Sequence, residues 1–116
     1  SPTPPVAIFG AEPEHGWCYF YQKADLARQR GDWEKIPVLL KQALKEGYYP
    51  NDSLEWMPFL QAAAIQGDVK QVRDLTKILT ADKILGMQVC DLMTDFAQRE
   101  TLSAEMKSVI EDGICR

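Results

Sequence analysis

The chain has no apolar run approaching the ~20 residues that cross a bilayer as a helix, and it has a single histidine among 116 residues. The first absence leaves no segment expected to span a membrane, and no signal peptide is visible either. The second removes the commonest metal ligand. His15 and three scattered cysteines, Cys18, Cys90 and Cys115, form no ligand cluster, so neither a metal nor a cofactor is expected. The cysteine spacings of 72 and 25 fit no zinc or redox pattern. Cys18 and Cys90 read as small apolar side chains or idle thiols, and Cys115 as part of a frayed end, with one disulfide left open.

Positive charge is also in short supply. Thirteen basic residues face seventeen acidic ones, and residues 51–116, with seven basic and eleven acidic side chains, carry the whole excess. A nucleic-acid binder needs a concentrated basic surface to displace counterions from phosphates, so that class is set aside. There is no Gly-rich phosphate loop and no nucleophile elbow. Glu12 and Glu14 beside His15 read as an exposed entry turn, and Asp52 with Glu55 as helix-start residues rather than a catalytic carboxylate pair. The chain is therefore read as non-catalytic.

What is present is helical periodicity. Residues 1–14 are Pro-rich and read as a linker or arm, whose Val6, Ala7, Ile8 and Phe9 are expected to lie against a domain spanning 15–114. Ser1-Pro2-Thr3-Pro4-Pro5 has the composition of a linker end, and Ser1 reads equally as a cloning scar. Trp17, Phe20, Ala24 and Ala27 form one stripe. Gly31 ends that helix and Asp32 is placed to cap the next, which buries Trp33, Ile36, Leu40, Ala43 and Leu44 before Gly47. Asp52 and Glu55 have capping-box spacing ahead of Trp56, Phe59, Leu60 and Ala63. Asp68 and Gln71 repeat it ahead of Val69, Val72, Leu75 and Leu79. A fifth helix carries Leu85, Val89, Leu92, Met93 and Phe96, with Asp91, Asp95 and Glu100 on a solvated face; a sixth carries Leu102, Met106, Val109 and Ile110 and is closed by Gly113. Pro37 and Pro58 fall early in helices two and three, so both starts are expected to be bent or irregular. The count is six helices in three antiparallel pairs, all-α.

The segments Ala27-Arg28-Gln29-Arg30-Gly31-Asp32-Trp33 and Ala63-Ala64-Ile65-Gln66-Gly67-Asp68-Val69 echo each other 36 positions apart, as the turns of a helical repeat array do. Ala62-Ala63-Ala64 would let a neighbouring helix approach closely. Phe20, Lys23, Ala24, Ala27, Ile36, Leu40 and Pro50, then Trp56, Phe59, Leu60, Ala63, Val72 and Thr76, fall near the slots of the tetratricopeptide pattern. Lys23 and Leu60 depart from it. The chain thus resembles a divergent tetratricopeptide array, which implies a short right-handed solenoid whose last pair is a cap, binding a protein or peptide partner. A narrower resemblance is carried by Glu14-His15-Gly16-Trp17-Cys18-Tyr19-Phe20-Tyr21-Gln22-Lys23-Ala24-Asp25-Leu26-Ala27-Arg28-Gln29, by Gly31-Asp32-Trp33 and by Glu55-Trp56-Met57-Pro58-Phe59. These are similar to the soluble helical tail of bacterial multi-pass membrane proteins of the glycosyltransferase type. That resemblance implies an accessory domain, tethered through its Pro-rich start and extracytoplasmic, while the membrane portion holds the sugar-transfer chemistry.

In a tetratricopeptide-like array the first helix of each pair lines a concave face. The positions that resemble ligand-facing slots are Cys18, Tyr21, Asp25, Arg28 and Gln29 on helix one, with Met57, Gln61, Ala64 and Ile65 on helix three. An aromatic, a charge pair and apolar side chains suit an extended peptide or a partner helix. Asp25 and Arg28 read equally as an i,i+3 surface ion pair.

Overall fold

A computed structural model describes residues 16–116. The expected arm over residues 1–14, its four apolar side chains, Glu12, Glu14 and His15 lie outside the described residues. Six α-helices and no strand occupy the described chain: α1 Trp17–Arg30, α2 Ile36–Lys45, α3 Met57–Gln66, α4 Val69–Leu79, α5 Lys83–Arg99 and α6 Ala104–Ile114.

The two Gly-Asp segments fold alike. Gly31 and Gly67 take left-handed conformations, with φ of 74° and 73°. Asp32 N donates to Ala27 O at 2.8 Å and Gly31 N to Arg28 O at 3.2 Å; Asp68 N donates to Ala63 O at 2.9 Å and Gly67 N to Ala64 O at 3.2 Å. These are paired Schellman closures, which satisfy the last carbonyls of α1 and α3. The aspartates then diverge. Asp68 Oδ1 accepts from Gln71 N at 3.0 Å, capping α4. Asp32, expected to cap helix two, makes no such bond and instead meets Lys35 Nζ at 3.4 Å. The reason is the 3-10 turn Trp33–Lys35 that intervenes before α2, whose tighter winding supplies the entry bonds.

A second 3-10 turn, Ser53–Trp56, leads into α3 in the same way. Both lead-ins leave Pro37 and Pro58 in the first turn of their helices, where the missing N–H costs no intrahelical bond. Asp52 accepts from Leu54 N at 3.0 Å rather than closing a capping box. Asp82 and Ser103 cap α5 and α6 through Leu85 N and Met106 N. Gly113 does not close the last helix; α6 runs through it to Ile114.

α3 is the centre of the fold. Every residue from Met57 to Ala64 is buried, as a helix apolar on all sides must be. It packs against α1, α2 and α4, and Ala62, Ala63 and Ala64 keep its sides thin enough for this. The expected core side chains Phe20, Ile36, Leu40, Phe59, Leu60, Val72, Leu75, Leu79, Val89, Met93, Phe96, Met106 and Ile110 are all buried. Leu44 and Leu92, expected inside, are exposed. Each sits at the margin of its helix's apolar stripe.

Consecutive helices pack together as α1 with α2, α3 with α4 and α5 with α6, and α2 also rests on α3. The last two helices join differently: α6 lies against α4 more extensively than α5 does. α5 reaches back instead, setting Phe96 edge-on to Trp33 at 5.6 Å between ring centroids. Cys115 is not an idle frayed thiol. It is disulfide-bonded to Cys90, with Cα atoms 5.0 Å apart, clamping the end of α6 to the middle of α5. Cys18 is the free, exposed thiol.

Two stability measurements follow from this packing. Trp33→Ala removes the ring that joins the 3-10 turn to α5 and should destabilise the chain by about 2–3 kcal/mol in urea unfolding. An unchanged midpoint would show that the ring contributes nothing. Reducing the disulfide, which closes a loop over a separation of 25 residues, should cost about 3 kcal/mol and lower the melting temperature by about 10 °C or more. Cys90→Ser should melt like the reduced parent and not respond to reductant.

Candidate functional site

The α1 half of the expected face is assembled, and the turn before α3 adds to it. Tyr21, Asp25, Arg28 and Gln29 share one side of α1 by their three- and four-residue spacing. Asp25 organises the group. Its Oδ1 accepts from Arg28 Nε at 3.0 Å and Nη2 at 2.7 Å, and its Oδ2 accepts from Gln29 Nε2 at 3.1 Å. The i,i+3 ion pair read as the bland alternative is therefore present, and such pairs contribute about 0.2–0.5 kcal/mol to a helix.

The α3 half lies elsewhere. Met57 and Gln61 are 8% and 9% exposed and Ala64 is buried, while Ile65 is half-buried. The all-round packing of α3 takes these positions into the core. Cys18 is exposed, and no hydrogen bond joins it to the Asp25 cluster.

The turn before α3 brings two carboxylates that the sequence points to only as helix-start residues. Trp17 Nε1 donates to Glu55 Oε1 at 3.0 Å, tying the first turn of α1 to the Ser53–Trp56 turn. The Trp17 ring lies 5.3 Å from both Trp56 and Phe59, so the bond is backed by an aromatic cluster. The half-buried Tyr21 hydroxyl is held above its ordinary value of 10.0, first by burial and then by the negative charges of Asp25 and Glu55; Arg28 opposes this and Asp52 adds to it. Three carboxylates against one guanidinium thus set the local field. Such a field favours a cationic group over an anionic one.

Glu55 was detectable only through its partner. Its spacing from Asp52 fits a capping box, and the competing bond to Trp17 spans 38 positions. Among the described residues no group of three or more His, Cys, Asp or Glu side chains is placed to hold a metal ion.

The field around Tyr21 has a measurable consequence. Its raised folded-state pKa means that the neutral phenol is favoured by folding, so this contribution is present below the unfolded value near 10 and is lost as pH rises through the folded value. Stability should fall on the alkaline side, and Tyr21→Phe should flatten that part of the curve. Glu55→Gln should lower the Tyr21 titration midpoint in ultraviolet difference spectra; an unmoved midpoint would separate Glu55 from the cluster.

No family model, curated protein or solved structure matches the chain.

Proposed function

We propose that the chain is a non-catalytic protein-interaction module of the tetratricopeptide-like class. In this reading its helices form three antiparallel pairs stacked as a short right-handed solenoid, with α5 and α6 as a terminal cap. The matched closures at Gly31 and Gly67 support the repeat, and the packing of α1 on α3 and α2 on α3 fits stacked pairs. The cap reading accommodates α6, rather than α5, lying on α4.

The observation that carries the functional reading is the cluster of Tyr21, Asp25, Arg28 and Glu55 at the junction of α1 and the turn before α3. The surplus of carboxylates there favours a peptide or partner helix with basic side chains over a phosphate. Gln29 extends the face along α1. Ile65 borders the core on α3, while Met57 and Gln61 are buried and take no part in the face.

A second reading is favoured by the disulfide. Stable disulfides belong to oxidising compartments, so Cys90–Cys115 fits an extracytoplasmic accessory domain of a membrane-bound glycosyltransferase, aiding substrate handling or assembly. The two readings separate on whether transmembrane helices are encoded upstream of Ser1.

A peptide-display selection against the chain tests the first reading. It should enrich basic peptides whose affinity for Tyr21→Ala/Asp25→Asn falls about tenfold or more, with the melting temperature nearly unchanged. Equal enrichment by the parent and the double variant would remove this face from consideration.

A further inference from the structure

The Cys90–Cys115 bridge is not sealed in the core. Both cysteines are half-buried, and with Thr94 they line an open groove of about 650 Å³ between α5 and α6. Thr94 Oγ1 stands 3.9 Å from Cys90 Sγ and 3.7 Å from Cys115 Sγ. A disulfide carries no proton, so the hydroxyl is the donor to both sulfurs. Opening the bridge does not by itself free α6. Met106, Ile110 and Ile114 hold it through burial, and it packs on α4 as well as on α5.

The two sulfurs are not equivalent. Cys115 stands at the C-terminal end of α6, where the negative end of the helix dipole disfavours a thiolate. Arg116 beside it is already paired with Asp112 at 3.6 Å. Cys90 lies within α5, four residues before Thr94, and this spacing keeps the hydroxyl beside Cys90 once the sulfurs part. Asp91 follows Cys90 directly and so stands about 100° round the helix from it. A thiolate is a much stronger acceptor than a disulfide sulfur, so the Thr94 bond tightens only when Cys90 carries the charge. Cys90 is therefore the better leaving group, and a better leaving group speeds exchange.

We propose that the bridge is a site of thiol–disulfide exchange in the folded chain, at which an external dithiol attacks Cys115 and expels Cys90. The attacking thiolate bonds to Cys115 Sγ. The Cys90–Cys115 bond breaks, and its electron pair goes to Cys90 Sγ, which accepts from Thr94 and then takes a proton from water. The second thiol of the reagent attacks the reagent's own sulfur in the mixed disulfide and releases Cys115. The dithiol ends as a disulfide and the bridge as two thiols. A monothiol such as glutathione stops after the first step and leaves Cys115 thiolated. Thr94 acts here as a positioning residue, and the site operates whichever partner the α1 face takes.

Reduction kinetics of the Cys18→Ser chain, which lacks the exposed third thiol, test this. With dithiothreitol the rate should be first order in reagent and unchanged by urea well below the unfolding transition, because exchange needs no global opening. With glutathione, early acid quenching and peptide mapping should place the adduct on Cys115. Thr94 is exposed, so Thr94→Val should leave the melting temperature of the oxidised chain unchanged. It should slow reduction about threefold or more, and Thr94→Ser should restore the rate. A rate that climbs with the first additions of urea would make the bridge a sealed staple that opens only through the unfolded chain. An early adduct on Cys90, or a Thr94→Val chain reduced as fast as its parent, would equally overturn the proposal.

Discussion

The fold depends on taking the first eight residues of one helix out of water. Met57 to Ala64 are eight successive buried residues, so α3 can exist only where neighbours close on every side of it. That requirement explains the placement of α1, α2 and α4, which no local preference would bring to one axis. It also explains why the chain uses alanine there. Larger side chains in place of Ala62, Ala63 and Ala64 would push the surrounding helices apart, and the contacts among the outer elements would be lost with them. Gln61 is the tolerated exception, a polar side chain at 9% exposure within an otherwise apolar helix.

The same constraint separates what was legible in the sequence from what was not. Helix number and most of the core follow from periodicity, because each of α1, α2, α4, α5 and α6 has one apolar side and therefore one possible inside. α3 has no polar side. Its periodicity carries no information about orientation, and Met57, Gln61 and Ala64 could be assigned to an open face only by analogy with repeat arrays. Turn chemistry was readable where one residue type decides it, as at Gly31 and Gly67. It was less readable where a 3-10 turn competes with a cap, as at Asp32 and Asp52. Long-range pairings were not readable at all. Glu55 with Trp17, Trp33 with Phe96 and Cys90 with Cys115 are each set by tertiary approach, for which the linear order gives no sign.

These long-range pairings share a role. Each joins a short irregular or terminal piece to a helix already held by the core: the Ser53–Trp56 turn to α1, the Trp33–Lys35 turn to α5, and the end of α6 to α5. Specific bonds, an indole to a carboxylate, a ring edge to a ring face and a covalent bridge, make these joins. The candidate site sits on the first of these, so the position of its carboxylates relative to Tyr21 depends on the Trp17 indole as well as on the backbone.

The covalent bridge has a further consequence for the chain as a molecule in a protease-containing environment. Loop tips are where peptide bonds are most readily cut, and the Glu100–Ser103 connection between α5 and α6 lies inside the ring that Cys90 and Cys115 close. A single cut there would leave two fragments still joined through sulfur. The nicked molecule would keep its mass, gaining only one water, and would come apart only when the bridge is reduced.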